Sequence, residues 1–221
     1  MNAGGVGTSL GRITATGAEA EVWYAWCGAH LDRVDALSHA VLSPEERSRL
    51  DRYRSRAAAE RYVVTRSLVR SVLASHLGVA PVDVRVTRTQ TGKPVLSDEL
   101  HFNVTHSGDL ILLAVSSQRP VGVDVERRRP VPRVVDLETR WLTHEERRDF
   151  ATLRRLGISA SDAFLRVWSL KEARLKALGV GISGAGGASF TKVQALPLDE
   201  LLSTLSPDGD DVQYVGAIAF A

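Results

Sequence analysis

The chain has 221 residues, of which 44% are hydrophobic and 24% charged, which is enough for one large domain or two small ones with a buried core. A net charge of +2 excludes a broad electrostatic field for nucleic acid, although arginines are locally dense. The single cysteine, Cys27, excludes an internal disulfide and a cysteine-based metal cluster. No segment has the composition of a secretory signal or a membrane span, which predicts a cytoplasmic protein.

The N-terminal part of the chain predicts strands packed with one long helix, preceded by a disordered leader at residues 1–20. An N-cap serine followed by proline and two acids marks a helix start, and a glycine ends a later amphipathic helix. The predicted elements are a strand at 21–26, a helix start at Ser43-Pro44-Glu45-Glu46, an amphipathic helix at 61–77 ended by Gly78, a strand at 82–89, a turn at 91–94, and a hairpin of 102–105 with 110–116.

The C-terminal part repeats this pattern at an offset of about 100 residues. Thr143-His144-Glu145-Glu146 echoes the earlier helix start, Leu178-Gly179-Val180 echoes the earlier helix end, and strands at 121–126, 189–195 and 212–220 bracket the helices. We predict an α/β fold of the α+β type, with two pseudo-symmetric halves at 21–118 and 119–221 that arose by duplication. Each half would be a small, mainly antiparallel sheet packed with a long helix, with a ligand site between the halves.

The strand at 121–126 carries two carboxylates among valines. Successive strand side chains point to opposite faces, so Asp124 and Glu126 share one face and Val123 and Val125 the other. Unpaired buried carboxylates are costly, so a buried face needs a cation or lysines beside it. Either these acids bind a metal, or they lie on a solvent-facing edge strand and pair with arginines 127–129.

Residues 168–176 predict a helix with a second group of charged side chains. Trp168, Glu172 and Lys176 share one face at i, i+4 spacing, with Lys171 adjacent. If brought to the strand acids, these groups would suit a hard divalent cation and a phosphate-rich ligand. The alternative is an ordinary surface salt bridge between Glu172 and Lys176.

Other side chains are candidates for phosphate contacts. Thr105 and His106 lie where a strand enters a tight turn, and Lys93 lies on a constrained turn. Arg49 and Arg61 belong to an arginine-rich helical region, and guanidinium groups suit phosphate oxygens. The alternatives are a turn histidine bonded to a backbone carbonyl, a chance turn lysine and a solvated helix face.

Four motifs together resemble the 4'-phosphopantetheinyl transferases of the Sfp type, which have two pseudo-symmetric halves in one chain. Each motif alone is weak, but all four occur in the family's order. They are Gly92-Lys93-Pro94, Phe102-Asn103-Val104-Thr105-His106-Ser107-Gly108, Gly122-Val123-Asp124-Val125-Glu126, and Trp168-Ser169-Leu170-Lys171-Glu172-Ala173 with Lys176.

The resemblance implies a Mg²⁺-dependent enzyme, with Mn²⁺ as a possible substitute, that moves the phosphopantetheine arm of coenzyme A to a serine of an acyl or peptidyl carrier protein and releases 3',5'-ADP. Glu172, or a water that it polarises, would be the general base, and Lys176 would assist catalysis. By the same resemblance the metal ligands are Asp124, Glu126 and Glu172, the coenzyme A phosphate contacts are His106, Lys171 and Lys176, and the nucleotide-side contacts are Arg49, Arg61, Lys93 and Thr105.

Two departures from the family pattern stand out. Glu46 lies where a number of relatives have a lysine, so one nucleotide-side contact would be missing or supplied elsewhere. Val125 separates the two strand acids, so water would complete the metal shell.

The expected partners are coenzyme A and an acidic carrier protein that docks on arginines 127–129, with no nucleic acid, no membrane and a monomeric enzyme. The sequence does not distinguish carriers of fatty-acid, polyketide or nonribosomal peptide assembly. Another Mg²⁺-dependent phosphoryl-transfer enzyme and a non-catalytic basic interaction module are the alternatives. Aromatic residues make up only 6% of the chain, which disfavours stacking on single-stranded bases.

Overall fold

The computed structural model describes residues 10–13, 20–96, 100–181, 193–205 and 214–221. Its helices are α1 (Val34–Val41), α2 (Pro44–Leu50), α3 (Arg56–Leu77), α4 (Val134–Trp141), α5 (His144–Arg155), α6 (Ala160–Leu178) and α7 (Asp199–Ser203), with 3-10 helices at Gly28–Arg33 and Pro81–Asp83. Its strands are β1 (Leu10–Ile13), β2 (Glu21–Trp26), β3 (Thr87–Arg88), β4 (Pro94–Val95), β5 (His101–Ser107), β6 (Leu110–Ser116), β7 (Val121–Arg127), β8 (Gln194–Pro197) and β9 (Tyr214–Phe220).

The strands form antiparallel sheets in both halves of the chain. The N-terminal sheet has the order β1-β2-β6-β5, the C-terminal sheet has the order β7-β9-β8, and β3 and β4 form a separate pair. Helix α3 packs on the N-terminal sheet through an apolar cluster that includes Leu73 and Ile111. This arrangement confirms the predicted α+β fold.

The halves are built on the same plan around their long helices. In α2, the Ser43 hydroxyl accepts a hydrogen bond from the Glu46 amide, and the Glu46 carboxylate accepts one from the Ser43 amide. Thr143 and Glu146 form the same capping box at the start of α5. Both α3 and α6 end at a glycine in the left-handed region, with φ of 68° at Gly78 and 72° at Gly179.

Part of the expected leader is ordered. Leu10–Ile13 forms β1, which pairs antiparallel with β2 at the edge of the N-terminal sheet. Arg12 reaches Glu21 of that strand at 3.2 Å, and its guanidinium lies 5.8 Å from the centre of the Trp23 ring. The prediction of disorder is therefore wrong for residues 10–13, because the edge of β2 provides backbone partners; residues 1–9 and 14–19 lie outside the described part.

The predicted strand at 82–89 is also wrong over most of its length. Residues 81–83 form a 3-10 turn, and only Thr87–Arg88 is a strand. Arg70 of α3, a buried side chain, donates from Nη1 to the carbonyl oxygens of Pro81, Val82 and Val84 at 2.6, 3.2 and 3.2 Å. These bonds satisfy carbonyls that a strand partner would otherwise satisfy. For the later strands, residues 189–192 and 212–213 lie outside the described part.

The two halves meet along β5 and β7, which belong to different sheets. The Val123 amide donates to Asn103 Oδ1 at 2.9 Å, and the Arg127 amide donates to Ser107 Oγ at 2.9 Å. Leu112 of β6 shares an apolar cluster with Val123 of β7. Side chains of one half thus satisfy the backbone of the other, and this seam places β7 beside the hairpin of β5 and β6. Among the helices that the structure describes, none is both long and apolar enough to cross a membrane.

Candidate active site

Strand β7 presents its two carboxylates on the face opposite to its valines. Val123 and Val125 lie in the apolar cluster shared with β6, while Asp124 and Glu126 point toward α6. Asp124 is only 5% exposed, so its carboxylate is removed from bulk water. The alternation predicted from the sequence is therefore present in the structure, with Asp124 buried and Glu126 partly buried although β7 is an edge strand of its sheet.

Gly122 sets the distance between β7 and α6. A Cβ atom at this position would lie 2.1 Å from the Ala173 carbonyl oxygen and 2.4 Å from the Ala177 amide nitrogen. Such contacts with backbone atoms are impossible without moving the helix. A glycine is needed here so that the helix backbone lies directly against the strand that carries the acids.

Helix α6 brings Lys176 and Glu172 to the strand acids. Lys176 Nζ donates to Asp124 Oδ1 at 2.6 Å, and also to Thr105 Oγ1 and the Val123 carbonyl oxygen at 3.3 Å each. In the part of the chain that the structure describes, the buried oxygens Asp124 Oδ2 and Glu172 Oε1 have no hydrogen-bond partner. Buried acceptors without partners are rare, so these two oxygens mark a place where a ligand is expected.

The carboxylates perturb one another. Burial raises the pKa of Asp124 above its ordinary value, although Lys176 opposes the shift. Burial also raises the pKa of Glu126, and the charge of Asp124 adds to it. For Glu172, burial raises the pKa, Lys176 lowers it, and Asp124 and Glu126 raise it further. Lys176, with Lys171 acting on Glu172 and Arg129 on Glu126, therefore does not fully compensate the three acids, and an added cation would stabilise their charged forms.

The donor chemistry of this cluster fits a hard divalent cation, since all its donors are carboxylate oxygens. Within the described ranges, however, no three histidine, cysteine, aspartate or glutamate side chains lie close enough together to enclose a metal ion. The acids are near enough to repel one another and too far apart to form a preformed metal cage.

Strand β5 contributes hydroxyl groups from the other half. The buried Thr105 donates from Oγ1 to Asp124 Oδ1 at 3.3 Å, and Ser107 donates from Oγ to Glu126 Oε2 at 3.3 Å. Sequence reasoning missed Ser107, although its i, i+2 spacing from Thr105 was the available signal. His106 lies between them on the opposite face. Burial by neighbouring atoms, the charge of Arg61 and the charge of Lys176 lower its pKa, which favours the neutral imidazole, although part of the ring is exposed.

Two lysines predicted to contact coenzyme A bind other protein atoms in the structure. Lys171 is 3% exposed, and its Nζ donates to Glu146 Oε2 at 2.8 Å between α5 and α6. Lys93 Nζ donates to backbone carbonyl oxygens at the end of α6. Lys171 therefore has a buried partner outside the carboxylate cluster, although its charge also lowers the pKa of Glu172, and Lys93 binds the end of α6. Trp168 packs against Phe164 and Trp141 in an apolar cluster.

Arg49 lines a separate cleft of about 720 Å³ in the N-terminal half. Its guanidinium lies 5.5 Å from the centre of the Tyr62 ring. Four more arginines line the same cleft, and these are Arg66, Arg70, Arg85 and Arg88. Glu46, also in the cleft, pairs with Arg66 and with Arg70. A cleft of this size with an excess of guanidinium groups suits a phosphate-bearing ligand.

Comparison with known proteins identifies the family. A family model described as 4'-phosphopantetheinyl transferase, N-terminal, matches residues 32–118, and one described as 4'-phosphopantetheinyl transferase superfamily matches residues 120–215. The chain is 34% identical over 194 residues to the 4'-phosphopantetheinyl transferase HetI of a Nostoc species, a match that covers 82% of this chain and 80% of HetI. The chain belongs to the 4'-phosphopantetheinyl transferase superfamily.

Two further relatives agree with this assignment. The transferase is 31% identical over 172 residues to 4'-phosphopantetheinyl transferase Sfp of Bacillus subtilis, covering 77% of this chain and 69% of Sfp. It is 30% identical over 176 residues to the L-aminoadipate-semialdehyde dehydrogenase-phosphopantetheinyl transferase of Rattus norvegicus, covering 72% of this chain and 56% of the rat protein. The predicted family is thereby confirmed, and the transferase is an enzyme of that class.

Proposed function

We propose that the transferase moves the 4'-phosphopantetheine arm of coenzyme A to a serine of an apo carrier protein, in a Mg²⁺-dependent reaction that releases 3',5'-ADP. The observation that carries this proposal is the cluster of the buried Asp124 with the partly buried Glu126 and Glu172 beside Lys176, in which two carboxylate oxygens lack hydrogen-bond partners. Oxygen-only donors suit a magnesium ion that is shared with substrate phosphates.

Glu172 is the candidate general base. Its pKa is raised by burial and by the neighbouring acids, so it binds a proton more readily than an ordinary glutamate. In the proposed step the carrier serine oxygen forms a bond to the phosphorus that bears the pantetheine arm, and the bond from that phosphorus to the bridging oxygen breaks. The serine proton passes to Glu172 or to a water that it holds, and 3',5'-ADP leaves with the bonding electrons.

Lys176 supports this reaction by its position. Its ammonium contacts Asp124, and it lies at the junction of both halves, where it is available to the charge that develops on the pyrophosphate oxygens. Mg²⁺ bound by the three carboxylates would neutralise part of that charge. Thr105 and Ser107 hold one oxygen each of Asp124 and Glu126, which limits the orientations of these acids.

The nucleotide part of coenzyme A is proposed to lie on the N-terminal half. Arg49 and the other arginines of the cleft described above supply the charge for its phosphates. The charge of Arg61 acts on His106, so these two side chains are proposed to contact the same part of coenzyme A. Proposed contacts of Lys171 and Lys93 with coenzyme A have less support, because both ammonium groups already bind other protein atoms.

The carrier is proposed to dock beside the arginines that follow β7. Arg127 is exposed, while Arg128 pairs with Asp162 at 2.7 Å and Arg129 reaches Glu126 at 3.5 Å. Of the arginines expected to pair with the strand acids, Arg129 therefore does so. Arg127 is the better candidate to bind an acidic surface of the carrier. We further propose that the enzyme is a monomer, since the two halves of one chain each supply part of the site. We also propose that it is cytoplasmic.

One assay tests the function. Purified protein is mixed with coenzyme A, Mg²⁺ and several apo carrier proteins, and mass spectrometry looks for the phosphopantetheine mass on the carrier serine. The expected result is modification that requires Mg²⁺ and is lost in Asp124→Asn, while Asp32→Asn, which changes an exposed acid of the N-terminal half, retains it. If no carrier is modified and coenzyme A does not bind, another phosphoryl-transfer reaction or a non-catalytic role is favoured.

A further inference from the structure

The C-terminus of α6 is closed by side chains from the other half of the chain. Lys93, in the turn between β3 and β4, donates from Nζ to the carbonyl oxygens of Lys176 at 2.6 Å and Ala177 at 3.1 Å. Thr91 of the same turn donates from Oγ1 to the Gly179 carbonyl oxygen at 2.9 Å. The last carbonyls of a helix lack partners within it and carry partial negative charge, so an ammonium and a hydroxyl stabilise this end.

The turn that presents these groups is itself held in shape. The Gly92 amide donates to the Thr89 carbonyl oxygen at 2.9 Å, and the Lys93 amide donates to Thr89 Oγ1 at 3.1 Å. Gly92 has a φ of 84°, which a residue with a side chain adopts only with strain. The donors that reach α6 are therefore fixed by a closed turn rather than by a long flexible loop.

The corresponding helix end in the N-terminal half differs. Helix α3 ends at Gly78 with nearly the same backbone conformation as α6 at Gly179. A Cβ atom at Gly78 would meet nothing within 4 Å, whereas one at Gly179 would meet Lys93 Cδ at 3.4 Å. The end of α6, the helix that carries Glu172 and Lys176, is thus covered by Lys93. The space beside Gly78, at the matching end of α3, is open.

Both the backbone and the side chain of Lys176 are held by hydrogen bonds. Its carbonyl oxygen accepts from Lys93, and its Nζ lies 2.6 Å from Asp124 Oδ1. We propose that Lys93, supported by Thr91, is a positioning residue that fixes the last turn of α6 and so holds the Lys176 ammonium in the carboxylate cluster. The catalytic consequence rests on the proposed function, but the structural role of the cap does not.

The occupied donors of Lys93 favour this role over a direct ligand contact. An ammonium has three donor hydrogens, and two carbonyl oxygens already accept from this one. Its surroundings desolvate it, which lowers its pKa, as expected for a group packed against protein and not directed into solvent. A phosphate could bind only the one remaining donor unless it displaced the helix end.

Hydrogen exchange measured without coenzyme A or carrier tests the cap directly. In Lys93→Met, which retains a long apolar side chain, exchange at the amides of residues 177–180 should accelerate about 10-fold, as expected for losing charge-assisted hydrogen bonds. Thr91→Val should act in the same direction, and Lys93→Arg should keep most of the protection. Thr87→Val is the matched control, because it removes a hydroxyl from β3 that bonds to Val95 and does not reach α6.

Kinetics then separate positioning from binding. For Lys93→Met we expect kcat for transfer to fall about 10-fold while the Kd for coenzyme A changes less than about 2-fold. The effects of Lys93→Met and Thr91→Val should be less than additive, since both loosen one helix end.

Two results would overturn the proposal. One is unchanged exchange at residues 177–180 in Lys93→Met; the other is a large rise in the Kd for coenzyme A with kcat preserved, which would make Lys93 a ligand contact. If the wild-type protein modified no carrier, the proposed function would fail, yet the exchange experiment would still decide whether Lys93 caps the helix.

Discussion

Lys171 Nζ lies 2.8 Å from Glu146 Oε2 in the buried seam between α5 and α6. The N-terminal half has the same pairing, because Arg70 Nε of α3 lies 2.5 Å from Glu46 Oε2 of α2. In each half, the glutamate that closes a capping box also binds a cation of the long helix. The matched positions support the duplication and assign Lys171 a structural partner within its own half.

This pairing predicts a large stability effect. Lys171→Met should lower the free energy of unfolding by about 3–5 kcal/mol, because it leaves the Glu146 carboxylate buried without its cation. Urea denaturation of the metal-free protein measures the loss. The double variant Lys171→Met with Glu146→Gln should recover much of it, since no charge then remains unpaired.

Coenzyme A binding separates this explanation from a phosphate contact. The double variant should bind coenzyme A with a Kd close to that of the wild-type protein. A selective loss of affinity in a variant that is as stable as the wild type would show that Lys171 touches the ligand after all.

Glu172→Gln is expected to stabilise the metal-free protein while abolishing transfer. The substitution removes a carboxylate that burial and two neighbouring acids destabilise, and it keeps the size of the side chain. We expect a gain of about 1 kcal/mol in urea denaturation without Mg²⁺. Mg²⁺ should stabilise the wild-type protein more than this variant. A loss of stability without Mg²⁺ would contradict the account of the cluster as an uncompensated group of acids.

The same cluster predicts how stability depends on pH. The pKa values of Asp124, Glu126 and Glu172 are raised, first by burial, so the folded protein binds these protons more tightly than the unfolded chain. Their contribution to stability is fully present below the ordinary carboxyl pKa and is lost as the pH rises through the raised pKa. Glu46 acts oppositely: burial raises its pKa, but Arg66, Arg70 and the capping bond lower it on balance.

The difference between wild type and Glu172→Gln isolates one member of the cluster. Urea midpoints measured without metal between about pH 4 and 8 should fall more steeply with rising pH in the wild type than in the variant. Saturating Mg²⁺ should reduce this difference, because it binds the charged form. Parallel curves for the two proteins would mean that Glu172 titrates as it does in the unfolded chain.

Arg127→Glu is expected to weaken recognition of the carrier. Arg127 is exposed beside the cluster, and reversing its charge should raise the KM for an acidic carrier about 10-fold without changing the Kd for coenzyme A. The effect should shrink as salt is added. Arg33→Glu makes the same charge change at an exposed position in the N-terminal half and should leave the carrier KM unaltered. Equal effects of both variants would point to net charge rather than docking.

Local patterns predicted much of the fold because they describe the residues that form each element. The strand EVWYAW is β2 in the structure, and the capping box at Ser43 starts α2 where its composition indicated. The alternation in residues 121–126 also predicted correctly which side chains of β7 enter the core. Each of these features depends on residues that are close in sequence, so it can be predicted from the sequence alone.

The errors concern partners that are distant in sequence. Residues 82–84 alternate in a way that suits a strand, but Arg70 binds the carbonyls of this segment and holds a turn. The ion pair of Lys171 with Glu146, 25 residues away in sequence, is likewise a contact that local spacing does not display. The cap formed by Lys93 depends on a contact between halves, which no local spacing reveals.

Gly122 determines how closely helix α6 approaches strand β7. The separation between Asp124 on the strand and Glu172 on the helix depends on the absence of a Cβ atom at Gly122, since a Cβ there would collide with Ala173 and Ala177. The contribution of Gly122 to the site is therefore a distance rather than a chemical group. A substitution as mild as alanine would spread the two walls of the site and disable chemistry in which Gly122 itself takes no part.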